Sequence, residues 1–218
     1  MRAKLVIFDC DGVLVDTEAI ANDLMARVFT DYGVPLSAQE CRKRFQGMSI
    51  EDVCRDVARL ANRPYDPSFP GNIRSEVEGI LANGVEPIPG AVELVQSVAR
   101  SNIPYCVASS GSVRKMRLTL GSVGLLPLLE DCLFSAQDIG RGKPHPDIFL
   151  TAAAAMKHRC EDAVIIEDSV NGVIAGVASG ARVLGYTGDP FTDADALQGA
   201  GAEVFHHMRE VPALIGLG

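Results

Sequence analysis

The chain has 218 residues, 47% hydrophobic and 22% charged, enough to bury a core as one large domain or two small ones. A net charge of −8 without an extended run of Lys or Arg excludes a phosphate-backbone-binding face, so no nucleic-acid partner is expected. Six Cys lack Cys-x-x-Cys spacing and paired His, which excludes a zinc site and a disulfide framework, and no apolar segment approaches membrane-spanning length.

Residues Leu5 to Phe8 form a short, wholly apolar run, the pattern of a strand buried on both faces of a parallel sheet. Met1-Arg2-Ala3-Lys4 precedes it without a secretory pattern, so the cytoplasm is the expected compartment. After Asp16 the period becomes helical: Ile20, Leu24, Met25, Val28, Phe29 and Tyr32 fall on one stripe that Gly33 and Pro35 end. Ser37-x-x-Glu40 and Ser49-x-x-Asp52 read as capping-box starts of two further helices. A Pro-rich stretch from Pro64 to Pro70 follows, and a last helix carries Ile73, Val77, Ile80 and Leu81 on one face and stops at Gly84. Glu86-Pro87-Ile88-Pro89-Gly90 reads as a stiff linker.

From Gly90 the pattern alternates. Helices are predicted over 90–101, 112–120, 147–156 and 170–178, and strands over Tyr105–Ala108, Cys132–Phe134, Ala163–Ile166 and Ala181–Leu184. This is an α/β pattern: a doubly wound parallel sheet, Rossmann-like, with an all-helical cap inserted after its first strand. The expected division is a core of 1–15 and 87–218, a cap of 16–84 and a linker of 85–90. No repeat is evident, and mostly polar helix faces make a monomer the expectation.

Sheets of this kind bind ligands beyond the carboxyl ends of their strands. Asp9 stands there, ending the first strand, and an Asp in that place can attack phosphorus and form an aspartyl-phosphate. Asp11, two residues on where the chain turns at Gly12, can protonate the leaving oxygen and then deprotonate the water that clears the intermediate. Cys10 lies between them and, on a strand, should point away into the core. Three more polar clusters follow predicted strands. Ser109-Ser110-Gly111 opens a helix, where hydroxyls and backbone N–H groups can cradle a phosphoryl oxygen. Lys143 sits in a loop stiffened by Gly and Pro, which suits a point charge, its own ammonium, held against the transferring oxygens or the nucleophile. Glu167 and Asp168 can complete an oxygen-only magnesium shell with Asp9 and the Asp11 carbonyl. Singly, each has a plain structural alternative: a strand-ending turn, an N-cap at Ser109, a solvated surface Lys143, a helix cap at Asp168. Together they supply the parts that phosphoryl transfer needs.

The motifs Asp9-x-Asp11-Gly-x-Leu-Val-Asp16, Val107-Ala-Ser109-Ser110-Gly111, Gly142-Lys143-Pro-x-Pro-Asp147 and Ile166-Glu167-Asp168-Ser169-x-x-Gly172, in this order, resemble the haloacid dehalogenase superfamily. The likeness is to the branch with a small helical cap that includes β-phosphoglucomutase and many sugar-phosphate phosphatases. It implies Mg2+, an aspartyl-phosphate on Asp9, a small phosphorylated metabolite as substrate, and a cap that closes over it. Arg44, Gln46, Gly47 and Arg114 are the substrate-binding positions that the resemblance suggests besides Ser110 and Gly111. Where the mutase carries Lys and Arg in its cap this chain has Gln46 and Ile50, and a His and a Lys elsewhere become Ala21 and Ser112. Those losses weaken the grip on a second phosphate, so hydrolysis is expected and a phosphosugar mutase is the alternative. A phosphorylated receiver domain fits less well, because its acceptor lies mid-chain without an Asp two residues on. A dehalogenase fits less well because its type lacks the counterpart of Asp11.

Overall fold

The computed structural model describes residues 2–45 and 48–217. In chain order the first elements are β1 (Leu5–Phe8), β2 (Val15–Asp16), α1 (Glu18–Asp31), α2 (Ala38–Phe45), α3 (Ile50–Leu60), α4 (Phe69–Leu81), β3 (Glu86–Pro87) and α5 (Ala91–Arg100). The rest are β4 (Tyr105–Ser109), α6 (Val113–Ser122), α7 (Leu126–Leu129), β5 (Leu133–Ser135), α8 (Asp147–Ala155), β6 (Ala163–Glu167), α9 (Val170–Ala178), β7 (Arg182–Tyr186), α10 (Ala194–Gly199), β8 (Glu203–Phe205) and α11 (Val211–Leu214). Two compact units result, one of Met1–Asp16 with Val85–Gly218 and one of Thr17–Gly84.

The first unit is built on a sheet in the order β5-β4-β1-β6-β7-β8, paired in parallel throughout. Alternation along each strand divides its side chains between two cores. Val6 and Phe8 of β1, Val107 of β4 and Val164 and Ile166 of β6 pack in one cluster with Leu94, Val98 and Leu120 of α5 and α6. Leu5 and Ile7, Cys106 and Ala108, and Ala163 and Ile165 pack in the other, with Phe149 and Ala152 of α8 and Val173 of α9. Such a sheet leaves only its strand ends accessible, and β1 lies centrally between β4 and β6, so a residue just past Phe8 stands at the middle of the carboxyl edge.

Two expectations change. The first two residues of the predicted stiff linker, Glu86–Pro87, form a short strand, β3, which pairs antiparallel with β2 through Val15↔Pro87 and Asp16↔Glu86. The chain leaving β1 turns at Gly12, where the Gly12 N–H donates to the Val15 carbonyl at 2.9 Å, and this turn brings β2 back to meet β3. Beyond Leu184, where the sequence reading stops, β7 continues to Tyr186 and β8 closes the edge of the sheet.

The second unit holds α1 to α4 around Phe29, Phe45, Val57 and Ile73. Phe29 meets Phe45 edge-on at 5.7 Å and Phe69 at 6.4 Å, a geometry that favours aromatic pairs beyond their buried area. The predicted capping box at Ser37 forms in both directions, the Glu40 N–H donating to Ser37 Oγ at 3.2 Å and the Ser37 N–H to Glu40 Oε2 at 2.8 Å; at Ser49 the cap is one-way, the Asp52 N–H donating to Ser49 Oγ at 3.2 Å and that hydroxyl to Asp52 Oδ2 at 2.7 Å.

Candidate active site

Asp9 follows the last residue of β1, and its backbone N–H still donates to the Ile166 carbonyl at 2.9 Å, so sheet pairing fixes its position. The residue is buried, 7% exposed. Its carboxylate receives Lys143 Nζ at 2.7 Å. The same ammonium donates to Glu167 Oε1 at 2.5 Å and to the Ala108 carbonyl at 3.2 Å, so its three protons tie together β4, β6 and the residue that follows β1. The surface alternative for Lys143 is therefore excluded: its side chain is 5% exposed. Burial alone would lower its pKa, but Asp9 and Glu167 outweigh that and hold it above the ordinary lysine value. Burial pushes the Asp9 carboxyl up to about 7; Lys143 opposes the shift, and Glu167 and Asp11 add to it.

Glu167 is fully buried, and its second oxygen accepts from the Asp168 N–H at 3.0 Å, the Ser169 N–H at 3.1 Å and Ser169 Oγ at 3.0 Å. This cradle needs Gly172: a Cβ there would lie 1.9 Å from the Glu167 carboxyl. Helix α9 is capped by Ser169, whose Oγ accepts from the Gly172 N–H at 3.1 Å, so capping is not the task of Asp168. The Asp168 carboxylate instead lies against Gly12, where a Cβ would come within 2.1 Å of Oδ2 and where φ is +76°. Oxygens of Asp9, Glu167 and Asp168 all lie within 4.8 Å of one another. An all-carboxylate set of that size suits a hard cation such as Mg2+, which takes oxygen ligands and keeps several waters. These residues could hold it.

Ser109 ends β4 and is 1% exposed. The N-cap alternative for it is also excluded, because α6 is capped by Ser112; Ser109 Oγ instead accepts from the Gly111 N–H at 3.0 Å. Two groups on the neighbouring segment tie the loop down, Ser135 Oγ donating to the Gly111 carbonyl at 2.8 Å and Gln137 Nε2 to the Ser110 carbonyl at 3.2 Å. Ser110 is exposed. Around Gly111 the groups converge: a Cβ there would meet Ser109 Oγ at 3.3 Å and Asp11 Oδ2 at 3.5 Å. Asp11, partly exposed, pairs with Lys115 of α6 at 2.8 Å. Sequence reasoning missed Lys115. The available signal was Arg114-Lys115 in the first turn of a helix, a place where the exposed N–H groups disfavour cations.

Cys10 turns into the core, 1% exposed, and burial first, then Asp11 and Asp9, push its thiol well above the ordinary value. It is no nucleophile. Arg114 is exposed on α6. Arg44, in the helical unit, pairs with Asp56 through Nε at 2.9 Å and lies over the Phe45 ring. Gln46 and Gly47 fall outside the described residues.

A family model described as haloacid dehalogenase-like hydrolase matches residues 3–180. The chain belongs to the haloacid dehalogenase-like hydrolases. It is 31% identical to the 6-phosphogluconate phosphatase of Escherichia coli (strain K12), over 98% of this chain and 95% of that protein. Among solved structures, a haloacid dehalogenase-like protein from Agrobacterium tumefaciens str. C58 is 37% identical with a TM-score of 0.84, covering 98% of this chain and 97% of its own. A family hydrolase from Deinococcus radiodurans R1, solved with bound phosphate and sodium, is 30% identical with a TM-score of 0.80, covering 99% and 96%. No helix among the described residues is long and apolar enough to cross a membrane.

Proposed function

We propose that the protein is a magnesium-dependent phosphatase acting on a small phosphorylated metabolite, a sugar phosphate, through an aspartyl-phosphate on Asp9. The observation that carries this reading is the buried Asp9 carboxylate held at 2.7 Å by Lys143 Nζ, with Asp168 and Glu167 close by and Asp11 two residues on. One Asp9 oxygen attacks phosphorus in line with the leaving oxygen, while Lys143 fixes the carboxylate and balances charge on the transferring group. Ser109 Oγ and the N–H groups of Ser110 and Gly111 bind phosphoryl oxygens. Asp11 gives a proton to the leaving oxygen in the first half-reaction and takes one from water in the second. Mg2+ held by Asp9, Asp168, the Asp11 carbonyl and Glu167 would add further neutralisation of phosphoryl charge. Arg44, Gln46, Gly47 and Arg114 are proposed to contact the rest of the substrate, and the helical unit, residues 16–84, to act as the cap.

The 31% identity to a 6-phosphogluconate phosphatase makes that phosphorylated sugar acid the first substrate to try. Phosphate release is measured with and without Mg2+ on 6-phosphogluconate, hexose and pentose phosphates and β-glucose 1-phosphate, with Asp9→Asn as control. Release that needs Mg2+ and vanishes in the variant is expected. Isomerisation of β-glucose 1-phosphate with a bisphosphate primer, and no release, would overturn hydrolysis in favour of a mutase.

A further inference from the structure

Lys115 takes no part in the steps above, yet its side chain is committed to the site. Its Nζ lies 2.8 Å from Asp11, in contact with both carboxylate oxygens, and the two side chains are only 20% and 23% exposed. The stem reaches there over Gly111, where a Cβ would stand 3.3 Å from Lys115 Cδ; a side chain at 111 would crowd Lys115, Ser109 and Asp11 together. Helix stability does not account for the residue, since it sits in the first turn of α6, where the positive end of the helix dipole disfavours a cation. The backbone beneath it is fixed: the Lys115 N–H donates to the capping Ser112 Oγ at 3.1 Å, and the Thr119 hydroxyl donates to the Lys115 carbonyl at 3.1 Å.

A contact on both oxygens turns the carboxylate toward the ammonium and limits how far it can swing on its own stem. That matters most when the carboxylate must accept a proton from a water whose own approach to phosphorus is confined to a line. A proton donor gains little from an ammonium on both its oxygens, so the pairing suits the half-reaction in which Asp11 accepts. We propose that Lys115 is a positioning residue for clearance of the phosphoenzyme, holding Asp11 so that it takes the proton of the attacking water. The inference rests on the aspartyl-phosphate reading above. In the step, the water oxygen forms a bond to phosphorus and the bond from Asp9 to phosphorus breaks. Its electron pair returns to the Asp9 carboxylate, the water proton passes to Asp11, and orthophosphate leaves. Rapid clearance of this kind commits the enzyme to hydrolysis, because transfer to a second sugar hydroxyl needs a phosphoenzyme that persists.

The test uses p-nitrophenyl phosphate with Mg2+, whose leaving group departs without a proton. Stopped-flow release of p-nitrophenolate then reports formation of the phosphoenzyme, and phosphate release reports its clearance. For Lys115→Met we expect a burst of one equivalent at the wild-type rate, followed by turnover slowed about 10–100-fold, part of the full effect of losing a general base. Lys115→Arg, which keeps a two-pronged cation, should recover most of the rate. In the Asp11→Asn background Lys115→Met should add no further loss, because the group it positions is already gone. Equal slowing of burst and turnover, an unchanged variant, or additive losses in the double variant would each overturn the proposal. Should Lys115→Met fail to fold, Lys115→Gln carries the same expectations. Turnover by Asp9→Asn would instead refute the aspartyl-phosphate itself, and this inference with it.

Discussion

Gly172→Ala sets local preference against tertiary packing with opposite signs. Gly172 lies inside α9 at an ordinary helical φ, so propensity alone makes Ala the better residue by about 1 kcal/mol. The added methyl, however, would stand 1.9 Å from both the carboxyl carbon and Oε1 of Glu167, and 2.2 Å from Oε2. Glu167 has no room to yield, being fully buried and bonded to Lys143 and the start of α9. Moving it removes one partner from a buried ion pair, which costs about 3–5 kcal/mol, so the net destabilisation is about 2–4 kcal/mol. For a chain of this size that lowers the midpoint of thermal unfolding by about 5–15 °C, read by calorimetry. Phosphatase activity should fall as well, since Lys143 loses one of its two carboxylates. Gly79→Ala is the control: exposed within α4 with nothing within 4 Å of a new Cβ, it should stabilise by about 0.5–1 kcal/mol. A Gly172→Ala protein as stable as the parent would refute the reasoning. So would an undiminished penalty in the Glu167→Ala background, where the three atoms nearest the methyl have gone.

Lys143→Met should cost about 3–5 kcal/mol in denaturant unfolding and abolish turnover, because it leaves Asp9 and Glu167 buried without their cation. Metal-free protein should lose stability as pH rises from about 4 to about 7, since Asp9, raised in the folded state, holds its proton there when the unfolded chain has released it. Asp9→Asn should lack that part of the slope, and parallel curves for the two proteins would contradict it. Cys10 and Cys106, buried with their thiols held up by desolvation, should resist iodoacetamide at pH 8 in the native protein and react fully in denaturant, as mass spectrometry would read.

Much of the site was legible in the sequence for a local reason. A polar residue that ends an apolar run must leave the sheet where the strand does, so Asp9, Ser109 and Glu167 announce one edge without any knowledge of packing. The sequence likewise determined the alternation of β1, β4, β6 and β7 with their helices, because residues buried on both sides of a sheet are apolar without a break. Weak periodicity hid the rest. Three-residue β8 and the two-residue β2 and β3 are too short to show a period, and their pairing depends on a turn at Gly12 that propensity does not specify.

Only the tertiary structure decided what the cations do. Lys143 is 134 residues from Asp9 in the chain and Lys115 is 104 from Asp11; the loop motif around Lys143 was enough to assign it to the site, though not its second carboxylate, whereas Lys115 carries no motif and reads as a solvated surface charge. Whether a lysine is solvated or buried against a carboxylate depends on which strands are neighbours, and strand order is a property of the folded sheet. The same holds for Gly172, an indifferent helix residue until Glu167 of the adjoining strand is folded against it. The sequence by itself placed the acids at the end of the sheet; the fold chose their partners, because partnership is made by distance in space.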